Sequence, residues 1–164
     1  MSSGIIGGTG PKSGVIGLPS TRFDEWIMTD NVSSTGLLGN GNVSNKTRHG
    51  LSVPVNSGVW TLPEDGMYRI EFMGNAIHNG NSRYPYVMIY VDEGADGSFV
   101  NEAQGMFQFA SQGDNSYEQC SAHVSKNLSA GDKVKFEYAG STVTWQGNAT
   151  INFTYFRFTK LDVA

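Results

Sequence analysis

The chain has 164 residues, a formal net charge of −4, 16% charged side chains and 21 glycines, a length that suits one domain with an appendage. Its 11 Lys and Arg are scattered and form no basic stripe, which excludes a nucleic-acid backbone as partner. No run approaches the roughly 20 apolar residues of a membrane helix, and no stretch of about ten residues joins helical apolar spacing to helix formers, so the expected class is all-β with no membrane partner.

Residues 1–22 differ in texture from the rest. Ser3-Gly4-Ile5-Ile6-Gly7 returns ten residues later as Ser13-Gly14-Val15-Ile16-Gly17. Glycine this frequent cannot hold one conformation by itself, because it loses the most entropy on ordering. Yet Ile5, Ile6, Val15 and Ile16 are side chains that a plain linker avoids. The segment is expected to be an extended arm that anchors by laying these apolar pairs on another surface, the alternative being a frayed terminus. No basic or apolar leader region stands at its start, so no secretory signal is expected.

From residue 23 a β pattern runs to residue 164. Glu25-Trp26-Ile27-Met28-Thr29 is a short apolar strand, and residues 33–50 have the composition of loops. Leu51-Ser52-Val53-Pro54-Val55 alternates, but Pro54 cannot donate to a ladder, which places the segment at an edge or bulge. After the turn Pro63-Glu64-Asp65-Gly66, Tyr68, Ile70 and Phe72 share one face and are expected in the core. Met67, Arg69 and Glu71 share the other.

The next strand, residues 84–91, is apolar on both faces. Val87, Ile89 and Val91 make one, Tyr84, Tyr86, Met88 and Tyr90 the other. An antiparallel sheet ordinarily keeps one wet face, so the second must be covered as well. In the closing strand, residues 151–158, Ile151, Phe153 and Tyr155 take one parity and Phe156 and Phe158 the other. In Val134-Phe136-Tyr138 the opposite face is charged, through Lys133, Lys135 and Glu137. Left bare, Tyr84, Tyr86, Met88, Tyr90, Phe156 and Phe158 would exceed the apolar patch that monomers tolerate, and they are the expected subunit interface. The alternative is that both faces belong to the core, with a loop or the arm as the cover.

Three blocks in this order, Gly58-Val59-Trp60-Thr61-Leu62-Pro63-Glu64-Asp65-Gly66-Met67-Tyr68-Arg69-Ile70, Leu128-Ser129-Ala130-Gly131-Asp132-Lys133-Val134-Lys135-Phe136 and Ile151-Asn152-Phe153-Thr154-Tyr155-Phe156-Arg157-Phe158, resemble the jelly-roll domain of the complement C1q and tumour-necrosis-factor (TNF) superfamily. The resemblance implies an all-β, two-sheet antiparallel jelly-roll sandwich of about ten strands over residues 23–164, with residues 1–22 as an extended Gly-rich arm. It implies a homotrimer that binds and does not catalyse. It further implies that residues 84–91, 134–138 and 151–158 lie in one inner sheet. Lys12-Ser13-Gly14-Val15-Ile16-Gly17 is similar to a phrase near the ends of structural proteins of marine tailed phages.

Site chemistry is sparse. His49, His78 and His123 have no metal-ligand partner at short spacing, and no nucleophile elbow or phosphate loop occurs. Cys120 is expected to be a buried, inert thiol. No catalytic, metal or cofactor site is assigned. Asp92-Glu93-Gly94-Ala95-Asp96-Gly97 gathers carboxylates suited to calcium, but a solvated hairpin turn explains it as well. The expectation is a non-enzymatic virion protein, a trimeric capsid decoration or cement protein whose partner is the major capsid protein or another virion protein. The alternative is a fibre tip, or a receptor- or carbohydrate-binding module.

Overall fold

The computed structural model describes residues 22–33, 35–39, 41–55, 58–78, 84–109, 117–140 and 143–161. Ile5, Ile6, Val15 and Ile16, the expected anchoring residues, lie outside the described residues. The described strands are β1 (Arg22–Met28), β2 (Val32–Ser33), β3 (Gly36–Leu37), β4 (Val43–Thr47), β5 (Val53–Val55), β6 (Val59–Thr61), β7 (Gly66–His78), β8 (Tyr86–Asp92), β9 (Val100–Met106), β10 (Tyr117–Leu128), β11 (Lys133–Ala139), β12 (Val143–Trp145) and β13 (Tyr155–Leu161). One short 3-10 turn, Glu93–Ala95, joins β8 to β9.

All pairings are antiparallel, and they form two sheets. The first runs β2-β12-β7-β13-β1-β4, with β10 paired to β7. The second runs β5-β6-β11-β8-β9, with β3 paired to β11. β7 holds the first sheet together: its 13 residues pair with β10, β13 and β12. Pro54 falls in the edge strand β5, where a missing donor costs no ladder bond to a further strand.

The core is the space between the sheets. Tyr68, Ile70 and Phe72 from β7 and Val87, Ile89 and Val91 from β8 are buried there, as their alternation predicts. At its centre Trp26, Trp60, Phe136 and Phe156 interlock, with the Phe136 and Phe156 rings 4.2 Å apart and Trp60 edge-on to Phe156 at 4.6 Å. Edge-to-face contacts of this kind add about 0.5–1.5 kcal/mol each beyond area burial. Two glycines permit close approaches. A Cβ at Gly74 would meet the Trp145 ring at 2.4 Å, and one at Gly105 would meet the Ser121 carbonyl oxygen at 1.9 Å. The second contact lets β9 of one sheet close directly on β10 of the other.

Where the chain passes from the first sheet to the second, residues 49–52 wrap the fully buried Asp24. Its carboxylate accepts from the backbone N–H groups of His49, Gly50, Leu51 and Ser52 and from the Ser52 hydroxyl. The Ser52 hydroxyl oxygen in turn accepts from Trp26 Nε1 at 2.9 Å. A carboxyl group this deep is accommodated because every backbone donor of the turn is aimed at it.

Two expectations fail. Residues 33–50, read as loops, contain β3 and β4. β4 is polar and forms because β1 lends it a ladder, from Glu25↔Thr47 to Met28↔Val43. Nor do the segments at 84–91 and 151–158 share a sheet: β8 pairs with β11 and β9, whereas β13 pairs with β1 and β7. Alternation reports which residues share a face of a strand and carries no information about which layer that strand joins.

Candidate assembly surfaces

The expected interface residues separate into three environments. Phe156 and Phe158 are fully buried and point inward from β13 into the core, so they are not subunit-contact residues. Residues 151–154 precede β13 and are not part of it, so no continuous second apolar face runs through the closing segment. Tyr84, before β8, is 52% exposed. Tyr86, Met88 and Tyr90 do point outward from the second sheet, but that face is largely finished within the chain. The Lys135 ammonium lies 4.8 Å from the Tyr90 ring centroid and 4.5 Å from that of Phe99. The Tyr90 hydroxyl donates to the Met88 sulfur at 3.3 Å, and Met88 is only 5% exposed. Burial, followed by the charge on Glu137, pushes the Tyr90 phenol above its ordinary pKa. Met88 therefore has little surface left to offer a partner. Lys135, which the sequence marks only as charge, covers the apolar face with its stem and cation.

The outward face of the first sheet is arranged in rows. Across it, Ser121, Met73, Tyr155 and Ile27 are consecutive ladder partners. Beside them runs the row His123, Glu71, Arg157, Glu25. Farther along β7, Ile77 pairs with Tyr117. Tyr117 is 62% exposed, while Met73, Ile77 and Tyr155 are half-buried. The charged row is neutralised inside the chain. Glu25 accepts from the Arg157 guanidinium and from Asn152 at 2.6 Å, and Arg69 donates to Glu71 at 2.9 Å. Arg157 also sits 5.3 Å from the Phe23 ring centroid and 5.5 Å from that of Tyr155. An apolar row beside self-paired charges suits a protein contact, because closing it buries apolar area without stranding a charge. The alternation read from the sequence ends at Phe72; extending the outward parity of Met67, Arg69 and Glu71 along β7 reaches Met73 and Ile77.

At the end where β1 begins, Glu64 accepts from the two terminal guanidinium nitrogens of Arg22 at 2.8 Å and from Lys160 at 2.6 Å. These two cations, Arg22 first, hold its pKa down at about 2. The acidic turn uses its carboxylates locally. Asp92 accepts from the Gly97 amide at 3.0 Å, Glu93 pairs with Lys126 at 2.6 Å, and Asp96 accepts from the Ser98 amide at 2.8 Å. Among the described residues no group of three or more His, Cys, Asp or Glu is placed to hold a metal ion. Cys120 is buried, and desolvation pushes its thiol up to about 12, far from the thiolate that reactivity requires. His49 takes a structural place, its Nδ1 accepting from the Phe23 amide at 3.2 Å, and His123 is exposed.

No family model matches the chain, and no curated protein matches it. Solved structures do. The chain is similar to the Eiger TNF of S. frugiperda, with a TM-score of 0.68 at 10% identity over 88% of this chain and 94% of that one. It is similar to murine APRIL, with a TM-score of 0.62 at 11% identity over 86% of this chain and 99% of that one. At such identity the likeness establishes architecture alone: the chain folds as a two-sheet, C1q/TNF-like jelly roll.

Proposed function

We propose that this chain is a non-enzymatic structural protein of a tailed-phage virion, a homotrimeric decoration or cement protein held on the capsid surface by its N-terminal arm. Its partners are two further copies of itself and the major capsid protein or another virion protein. The observation that carries the reading is a jelly roll with an apolar, charge-balanced outward row, preceded by an arm whose aliphatic pairs repeat. The C1q/TNF resemblance implies three subunits, and the phage-like arm phrase implies the particle. The trimer contact is assigned to the outward face of the first sheet, through Met73, Ile77, Tyr117 and Tyr155. The buried carboxylates Asp24 and Glu25 are engaged by backbone and by Arg157, which supports structural roles for them.

Two measurements test this reading. Mass in solution is expected to return three chains, and Met73→Asp with Tyr155→Asp is expected to return folded single chains. Copy number on purified particles is expected in the hundreds at the capsid surface; a handful per particle overturns the decoration role.

A second reading, a fibre tip or glycan-binding module, draws on Tyr84 and Tyr117, both more than half exposed and able to stack on sugar rings. It predicts low copy number and glycan affinity lost in Tyr84→Ala or Tyr117→Ala.

A further inference from the structure

An aliphatic strip crosses the outward face of the second sheet at its β5 margin. Val53 and Val55 are 40% and 39% exposed, and Leu37 is 39% exposed. Ladder register makes these side chains neighbours. Val55 pairs with Val59, and Val59 pairs with Lys135 of β11. Leu37 pairs with Glu137, two residues further along the same face of β11. Trp60 and Leu38, which alternate with Val59 and Leu37, are fully buried, so the strip faces away from the core. The Lys135 cation, drawn over Tyr90 and Phe99 on β11's other side, does not cover it.

The 21 residues that precede the described chain join it beside this strip. Arg22 is fastened to Glu64, three residues after Thr61, which is the ladder partner of Val53. The Phe23 amide donates to His49, and Asp24 accepts from Ser52, the residue immediately before Val53. The chain therefore emerges against the corner from which β5 starts. Six residues separate Ile16 from Arg22, an extended reach of up to about 20 Å. The strip, which spans residues 133–137 of β11, is about 13 Å long.

We propose that the inner copy of the arm's repeat, residues 13–17, lies along this strip of its own chain, with Val15 or Ile16 set on Val53, Val55 and Leu37. The occupant is chosen by reach and chemistry: β-branched aliphatics meet aliphatics within six or seven residues of a fixed exit point. Ile5 and Ile6, ten residues farther out, extend beyond the strip and remain free for another surface. The inner docking does not depend on the attachment role given to the arm above.

The test uses the full chain with Cys120→Ala, which removes the native thiol. Ile16→Cys with Val55→Cys and Val15→Cys with Val53→Cys are oxidised at low protein concentration and read on a non-reducing gel. Expected is an intrachain disulfide in at least one pair and none in the control, Ile6→Cys with Val55→Cys. A bond only between chains overturns the proposal, because the occupant is then a second copy. So does no bond in either pair together with unchanged hydrogen exchange at the Val53 and Val55 amides in Val15→Asp with Ile16→Asp. The expected exchange result is a tenfold or greater acceleration in that variant and none in Ile5→Asp with Ile6→Asp. Particle binding is scored separately. Loss of binding in the outer variant with the intrachain bond intact supports both the docking and the attachment role. Retained binding there with the bond intact defeats only the attachment role.

Discussion

On the outward face of the second sheet, Lys135 spans the Tyr90 and Phe99 rings and Met88 is closed beneath the Tyr90 hydroxyl. On the outward face of the first sheet, Arg157 is bonded to Glu25 and flanked by the Phe23 and Tyr155 rings, and Met73, Tyr155 and Ile77 stay half-exposed beside it. Both faces contain tyrosine, methionine and a long cation. What differs is where the cation's partner lies. A cation set over aromatic faces covers apolar surface, whereas one bonded to a carboxylate, as Arg157 is to Glu25 while only flanking the Tyr155 ring at 5.5 Å, leaves Met73 and Ile77 of the adjacent row uncovered. The first arrangement closes an apolar face within the chain, and the second leaves open the face to which the proposed trimer contact is assigned. Residue composition is thus a poor guide to oligomerisation unless the pairing of each cation is known.

On β13 neighbouring residues serve opposite purposes. Phe156→Ala leaves a cavity among Trp26, Trp60 and Phe136 and is expected to cost about 3–5 kcal/mol in urea unfolding. Tyr155→Asp, one position away, is expected to shift solution mass from three chains to one with little change in single-chain stability. If Tyr155→Asp unfolds the chain as Phe156→Ala does, the outward face belongs to the fold and not to an interface.

The corner that joins the two sheets is the next most sensitive point. Asp24→Ala strands four backbone donors and the Ser52 hydroxyl in a buried site, with an expected loss of about 3 kcal/mol by chemical denaturation. Oligomeric state above the unfolding transition cannot then be read, so the measurement is made at low denaturant, where both faces are still intact.

Lys135→Ala sharpens the contrast directly. It uncovers Tyr90 and Phe99 and is expected to cost about 1 kcal/mol while leaving the mass at three chains. Dissociation in this variant would instead place the trimer contact on the second sheet.

The smallest effect concerns the pH dependence at the start of β1. Glu64 has a folded pKa of about 2, lowered from 4.5. Its contribution is therefore fully present above pH 4.5 and is lost as the pH falls toward 2. With Glu64 and Arg22 each about one-third exposed, solvent screening keeps this below about 1 kcal/mol. Glu64→Gln is expected to flatten the stability profile across that window, measured as the thermal midpoint between pH 5 and pH 2.

Much of the fold was legible because a strand's side-chain period is two. Alternation placed Tyr68, Ile70 and Phe72, and separately Val87, Ile89 and Val91, in the core, and Pro54 marked an edge. It also showed that residues 84–90 needed cover on both faces. It could not name the cover. Lys135 reaches Tyr90 only because β11 and β8 are ladder partners in a register that their local sequences do not encode. Nor could it separate β8 from β13, since parity is defined within a strand and is silent about the layer. Phe156 and Phe158 could be read as outward or inward with equal consistency until Phe136 stood 4.2 Å from Phe156 across the sandwich. β4 had no apolar pattern to announce it and exists through its pairing with β1. Nothing local in the sequence marks Asp24, because its five donors lie 25–28 residues away. The sequence by itself determined the strands with one buried face and the repeat in the arm, because local periodicity and composition suffice for both. The tertiary structure decided sheet membership, the cover of each outward face and the buried carboxylate at the corner, because those depend on contacts between residues that only folding brings together.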